Sequence, residues 1–179
     1  MSDPTQNPTD PATGEIDPCM AAGIPGPQHE LLKNFEGNFE AAVQFWMQPG
    51  AEPDASVGRM ESRWILGNRF LEQKYSSTFA GMPFEGRGMF GYNNVDGRFE
   101  GVWADTMSTG MMTEAGTFDE RTNTFTMVGR VTDPGSMKVM KKKTVIQFKD
   151  ANEHSMSMHF CEEGATEYWK CMEIQYRRA

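Results

Sequence analysis

From Phe39 onward, apolar and polar residues alternate with period two, over segments of roughly ten residues. Phe39, Ala41, Val43, Phe45 and Met47 open the series. Met60, Trp64 and Leu66 follow, with Arg59, Glu61 and Arg63 at the alternate positions, and then Leu71, Tyr75 and Phe79 against Glu72 and Lys74. Phe84, Gly86, Gly88, Phe90 and Tyr92 share the next face, opposite Glu85, Arg87 and Met89. Phe99, Gly101, Trp103 and Asp105 make the fifth set, Met112, Glu114, Gly116 and Phe118 the sixth, and Phe125, Met127, Gly129 and Val131 the seventh. Met137 to Phe148, then His154 to Phe160, then Met172, Ile174 and Tyr176 complete it. In a strand such alternation sorts side chains onto two faces. Between the segments fall turn formers: Pro49-Gly50, Gly67-Asn68, Gly81-Met82-Pro83, Asn93 to Gly97, Ser108-Thr109-Gly110, Asp119 to Asn123, Asp133-Pro134-Gly135, Asp150-Ala151-Asn152 and Glu163-Gly164. These residues preset a turn or accept positive φ. The pattern predicts an all-β protein of about ten antiparallel strands in up-and-down order, closed into a lipocalin-like barrel. No long 3.6-residue periodicity follows Gly50, which argues against an α/β fold.

The N-terminal part reads differently. Residues 1–26 are rich in Pro, Thr, Asp and Gly and offer little to bury, so a disordered tail is expected there, with the barrel domain over 27–179. Pro27 suits a first helical turn, Leu31, Leu32 and Phe35 recur at helical spacing, and Gly37 ends the run. That short helix either caps one end of the barrel or packs outside it.

Composition narrows the function. A net charge of -8 repels phosphate backbones, so no nucleic-acid partner is expected. The basic run Lys141-Lys142-Lys143 lies within a strand pattern and reads as a solvated strand guarded against edge pairing. Cys19, Cys161 and Cys171 cannot all pair within one chain, and reduced thiols in a cytoplasmic protein are the simpler expectation. No secretory signal pattern, no apolar run of membrane-spanning length and no Cys/His spacing for zinc is present, so neither a membrane partner nor a metal is expected. The oligomeric state is open, a homodimer included.

Three stretches carry a family resemblance: L-G-N-R-F-L-E-Q-K-Y (Leu66 to Tyr75), G-M-P-F-E-G-R-G-M-F-G-Y-N (Gly81 to Asn93) and W-A-D-T-M-S-T-G (Trp103 to Gly110), with the closing M-E-I-Q-Y-R-R (Met172 to Arg178). They resemble the bacterial domain-of-unknown-function family numbered 1579, over roughly Leu31 to Arg178. The resemblance implies a lipocalin-like barrel and no established reaction. A weaker similarity, through Gly81-Met82-Pro83 and Thr109-Gly110, is to nitrobindin-like haem barrels. Those hold iron with a histidine near the C-terminus, whereas the last strand here, Thr166 to Arg178, has none, so no cofactor is expected.

A barrel of this size leaves interior space that often holds a ligand. The candidate lining is Trp64, Tyr75, Phe90, Trp103, Met112, Met127 and Tyr176, with Asp105 at the mouth. Fifteen methionines favour a pliable wall, because Met adapts to irregular apolar shapes. The leading expectation is a binder of a small apolar or aromatic molecule. A second is an enzyme at the barrel mouth, with Asp105 as acid/base and Arg87 or Tyr75 polarising the substrate. A third is a filled barrel serving a structural or interaction role. Glu85 and Arg87, like Glu61 and Arg63, are expected outside. His29 and His154 are expected at the surface, and His159 facing away from the apolar side.

Overall fold

The computed structural model describes residues 16–179. Ten strands form one closed antiparallel barrel: β1 (Gly37–Phe45), β2 (Asp54–Ile65), β3 (Phe70–Phe79), β4 (Met82–Asn93), β5 (Arg98–Asp105), β6 (Met112–Asp119), β7 (Thr124–Thr132), β8 (Val139–Phe148), β9 (Glu153–Glu162) and β10 (Trp169–Arg178). Each strand pairs with the next in sequence. β10 closes on β1, with Phe39 opposite Arg178 and Phe45 opposite Met172. Closure removes the exposed edges that an open sheet of this length would present.

The hairpins show why these residues turn where they do. Between β4 and β5 the Asn93 side-chain oxygen accepts from the backbone N–H groups of Val95 (3.0 Å) and Asp96 (3.1 Å), forming an Asx turn. Gly97 then takes φ 65° and its N–H donates to the Asn93 carbonyl at 2.9 Å, a conformation glycine adopts without strain.

Two short helices precede the barrel. α1 (Pro18–Ala21) is capped by Asp17, whose carboxylate accepts from Cys19 N–H at 2.8 Å. The side-chain amide of Asn94 donates to the carbonyls of Ala22 (3.0 Å) and Ile24 (2.8 Å), fastening this segment to the β4–β5 hairpin. The tail expected over 1–26 therefore carries a helix and tertiary contacts in its final part, and 1–15 lie outside the described residues. α2 (Pro27–Leu31) runs on into a 3-10 turn, Leu32–Phe35.

This second helix settles which of its two expected places it takes. Leu32 and Phe35 are buried against Leu71, Phe90, Phe99, Phe125 and Met127, so the helix plugs one end of the barrel. Phe35 lies 4.7 Å from Phe148 and 5.6 Å from Phe125, ring centre to ring centre. Burying side chains of this size contributes about 1.5–3 kcal/mol each. Arg178 secures the plug from outside: its guanidinium donates to the Glu36 carbonyl at 2.7 Å and lies 4.6 Å over the Phe39 ring.

Three expectations need correction. Lys142 is not on a solvated face: period two turns the middle lysine of the run inward, where it is buried, while Lys141 and Lys143 approach the Tyr168 ring outside. His154 is buried because its position starts the inward face of β9 directly beneath the helical plug. His29 is buried too: its Nδ1 accepts from Gly26 N–H at 3.0 Å and its ring meets the edge of Tyr92. His159 bonds instead to Ser157 at 3.0 Å. Glu61, Arg63, Glu85 and Arg87 are exposed, as expected. All three cysteines are free, with Cys161 and Cys171 buried. Among the described residues no helix is long and apolar enough to cross a membrane.

Candidate functional site

A cavity of about 720 Å³ occupies the barrel. It runs from the helical plug, at Phe35, Phe90 and His154, to the hairpins at the opposite end, at Phe79, Ala80, Gly81 and Met107. Its wall is mostly aliphatic, aromatic and methionine.

Six of the eight residues expected there line it: Tyr75, Phe90, Trp103, Asp105, Met112 and Tyr176. Trp64 and Met127 do not. Both face inward, but at the plugged end, where they belong to the cluster around Leu32, Leu71 and Phe125. Alternation tells which face a residue takes; it does not tell how deep along the barrel axis the residue sits.

Two glycines of β4 lie behind the cavity wall near its open end. Trp103 pairs with Gly88, and its indole lies across the bare backbone of Gly86 and Gly88. The indole N–H donates to Asp105 Oδ2 at 2.9 Å, and Oδ1 of the same carboxylate accepts from Met107 N–H at 3.0 Å. Asp105 thus has both oxygens engaged, one orienting the indole and one closing the turn. This is the geometry of a positioning group. Arg87, offered as a substrate-polarising residue, lies on the outer face beside Glu85. Tyr75 does line the cavity, and burial pushes its phenol above the usual range, so it remains protonated.

The interior also holds a charge pair that the expected site omitted. Lys142 Nζ meets Glu114 Oε2 at 2.7 Å, and the Thr144 hydroxyl donates to the same oxygen at 2.8 Å. The pair is legible in alternation: Glu114 shares a face with Met112, and Lys142 with Met140 and Thr144. Reading the lysine run as one solvated block concealed it. On another part of the wall Ser62 is buried, and its hydroxyl has no hydrogen-bond partner among the described residues. Its register partner on β3 is Gln73, which also lines the cavity.

His154 completes the wall near the plug. Its ring stacks on Tyr176 at 4.6 Å with 19° between planes, and meets Phe39 and Phe35 edge-on at 4.9 and 5.2 Å. Burial, with a smaller push from the Arg178 charge, lowers its pKa to about 4, so the imidazole is neutral at pH 7. Burial also drives the Tyr176 phenol far upward. Among the described residues no group of three or more His, Cys, Asp or Glu is placed to hold a metal ion.

A family profile described as "Protein of unknown function (DUF1579)" matches residues 24–178. This chain belongs to that family. The matched region takes in the helical plug and all ten strands, so every residue lining the cavity lies inside the DUF1579 unit. No curated protein sequence matches the chain. Among solved structures, Rv2717c from M. tuberculosis is similar with a TM-score of 0.60 and 16% identity, over 86% of this chain and 98% of that one. An S-type phycobiliprotein lyase, CPES from Guillardia theta, is similar with a TM-score of 0.56 and 7% identity, over 85% and 92%. At these identities the likeness is one of fold.

Proposed function

We propose that this DUF1579 barrel binds a small, largely apolar or aromatic molecule inside its cavity. The observation that carries the reading is the wall of aromatic and methionine side chains around about 720 Å³ inside the barrel. That volume lies within the range of small-molecule sites, roughly 300–1,000 Å³. Met60, Met112, Met156, Met158 and Met172 contribute to it, and their unbranched thioethers repack around different shapes at little cost. The acidic surface disfavours phosphate-rich partners. The buried free thiols suit a reducing compartment, in keeping with a cytoplasmic protein. The likeness to a phycobiliprotein lyase carries no substrate to this chain. Nor does any observation favour the enzyme reading, since Asp105 is committed to Trp103 and Met107 and Arg87 faces outward.

The test has two arms. Protein purified gently from its expression host is extracted with organic solvent and analysed by mass spectrometry. Delipidated protein is titrated with fatty alcohols, small aromatics and isoprenoid-like compounds while tryptophan emission is followed. Saturable quenching is expected for at least one class. Trp103→Phe should remove most of that signal and Trp64→Phe should leave it, because only Trp103 lines the cavity. If nothing co-purifies and no class binds below millimolar concentration, the binding reading is wrong.

A further inference from the structure

We infer that the cavity is selective for an uncharged ligand, an apolar body bearing one neutral hydrogen-bonding group such as an alcohol or amide, and discriminates against carboxylates and amines. This rests on the binding function proposed above and adds the chemical class of the ligand.

The first ground is charge. Lys142 is the only Lys or Arg among the described residues lining the cavity, and it is already matched by Glu114 at 2.7 Å. Their side chains are only 7% and 17% exposed, so the pair is balanced and shielded from water. A carboxylate brought alongside would leave one negative charge uncompensated in a low-dielectric interior, and an ammonium one positive charge. The remaining charged lining residues, Asp54 and Asp105, are acidic and lie toward the open end, where they oppose an anion; Asp54 is exposed to water and both Asp105 oxygens are already hydrogen-bonded, so neither gives an ammonium a buried, unengaged partner.

The second ground is unused hydrogen-bonding capacity of mixed sense. The Ser62 hydroxyl, 3% exposed on the cavity wall, has no partner among the described residues and both donates and accepts. The Gln73 amide beside it in register offers a donor and an acceptor. Both hydrogen bonds to Glu114 fall on Oε2, and Oε1 is turned toward Gly101, one of the lining positions. A carboxylate can only accept and an ammonium can only donate, so each leaves part of this set unmet. A hydroxyl or amide satisfies both senses. An orphaned buried hydroxyl is costly in a native interior, and a ligand group bonded to Ser62 would remove that cost.

The test uses full-length protein and three ligands of one chain length, 1-decanol, decanoate and decylammonium, measured by calorimetry at pH 7.5. Decanol is expected to bind at least tenfold more tightly than either ion. Because any apolar pocket favours a neutral compound to some degree, variants decide the cause. Glu114→Gln keeps an acceptor for Thr144 but frees the Lys142 charge. It should raise decanoate affinity at least tenfold and so lower the decanol-to-decanoate preference. Ser62→Ala removes the orphan hydroxyl, so the thermal midpoint should hold or rise while decanol affinity falls about two- to tenfold, the worth of one hydrogen bond. Decanoate binding wild type as tightly as decanol would overturn the inference and leave the binding function standing. So would a decanol-to-decanoate ratio unchanged in Glu114→Gln together with unchanged decanol affinity in Ser62→Ala. Failure of all three ligands to bind would overturn this inference, while the binding function would still rest on the co-purification and the wider screen above.

Discussion

The indole of Trp103 lies directly on the backbone of Gly86, in the space that any β-carbon at that position would occupy. A glycine inside a strand weakens it, and one that persists there marks a close approach by another group. Here the approaching group is the flat wall of the cavity, held in place by the bond from the indole N–H to Asp105. The glycine, the tryptophan and the aspartate thus form a single device spanning two neighbouring strands.

Gly86→Ala should therefore act on the cavity rather than on the strand alone. The added methyl overlaps the indole ring, which must tilt or leave, at a cost of about 1–3 kcal/mol typical of overpacking. Its signature would be a red-shifted tryptophan emission together with a lowered thermal midpoint. A lowered midpoint with unchanged emission would mean that the strand yields and the indole does not.

His154 makes stability depend on pH in a window set by its own shift. Its pKa is about 4 in the fold and 6.5 in a free chain, so between those values the unfolded state binds more protons. Stability is then at its full value above pH 6.5 and falls as pH drops toward 4. A shift of this size is worth up to about 3 kcal/mol. His29 and His159, also lowered by burial, act with the same sign. Urea unfolding at pH 7.0 and 4.5 should show this loss, and His154→Phe, which keeps a ring against Tyr176, should lose much less. An equal loss in both proteins would assign the effect to other groups. The carboxylates held low by hydrogen bonds, Glu72, Asp119, Asp133 and Glu173, also lose stabilisation as pH falls from their unfolded values toward their folded ones, and the comparison with His154→Phe separates the histidine's share from theirs.

The strand order and the inward faces follow from alternation and turn chemistry, which are local properties. Depth along the barrel axis follows from which strand ends the plug covers, and that is a tertiary fact. For this reason Trp64 and Met127 share the parity of Trp103 and Met112 yet sit outside the cavity. For the same reason His154, at a strand start, is among the most enclosed polar residues. Lys142 illustrates a different loss. Its parity is plain beside Met140 and Thr144, but a lysine alone gives no reason to face inward. Its reason is Glu114, on a strand two positions away around the barrel.

Asn94 is the clasp between the N-terminal segment and the barrel. Its amide gives two hydrogen bonds to that segment, and each exposed bond of this kind contributes roughly 0.5–1.5 kcal/mol. Asn94→Ala should leave the thermal midpoint within a few degrees while residues 17–25 become accessible to limited proteolysis. Cleavage no faster than in wild type would mean that the segment is held by other contacts.

Gly101 and Gly116 occupy alternate positions of neighbouring strands and look equivalent in sequence, but they differ in what surrounds them. A β-carbon at Gly101 would meet Glu114 Cγ at 3.5 Å and a Phe90 ring carbon at 3.6 Å, ordinary contacts on the cavity surface. One at Gly116 would run into the Thr126 carbonyl and the Met127 backbone, which cannot withdraw without opening the β6–β7 pairing. Gly101→Val should therefore fold with a thermal midpoint near that of wild type and reduce the affinity of any cavity ligand at least tenfold by occupying its space. Gly116→Val should be expressed poorly or unfold at markedly lower temperature. Calorimetry on both, with a ligand found by the fluorescence screen, separates the outcomes. Full affinity in a folded Gly101→Val protein would place the ligand elsewhere than in the barrel.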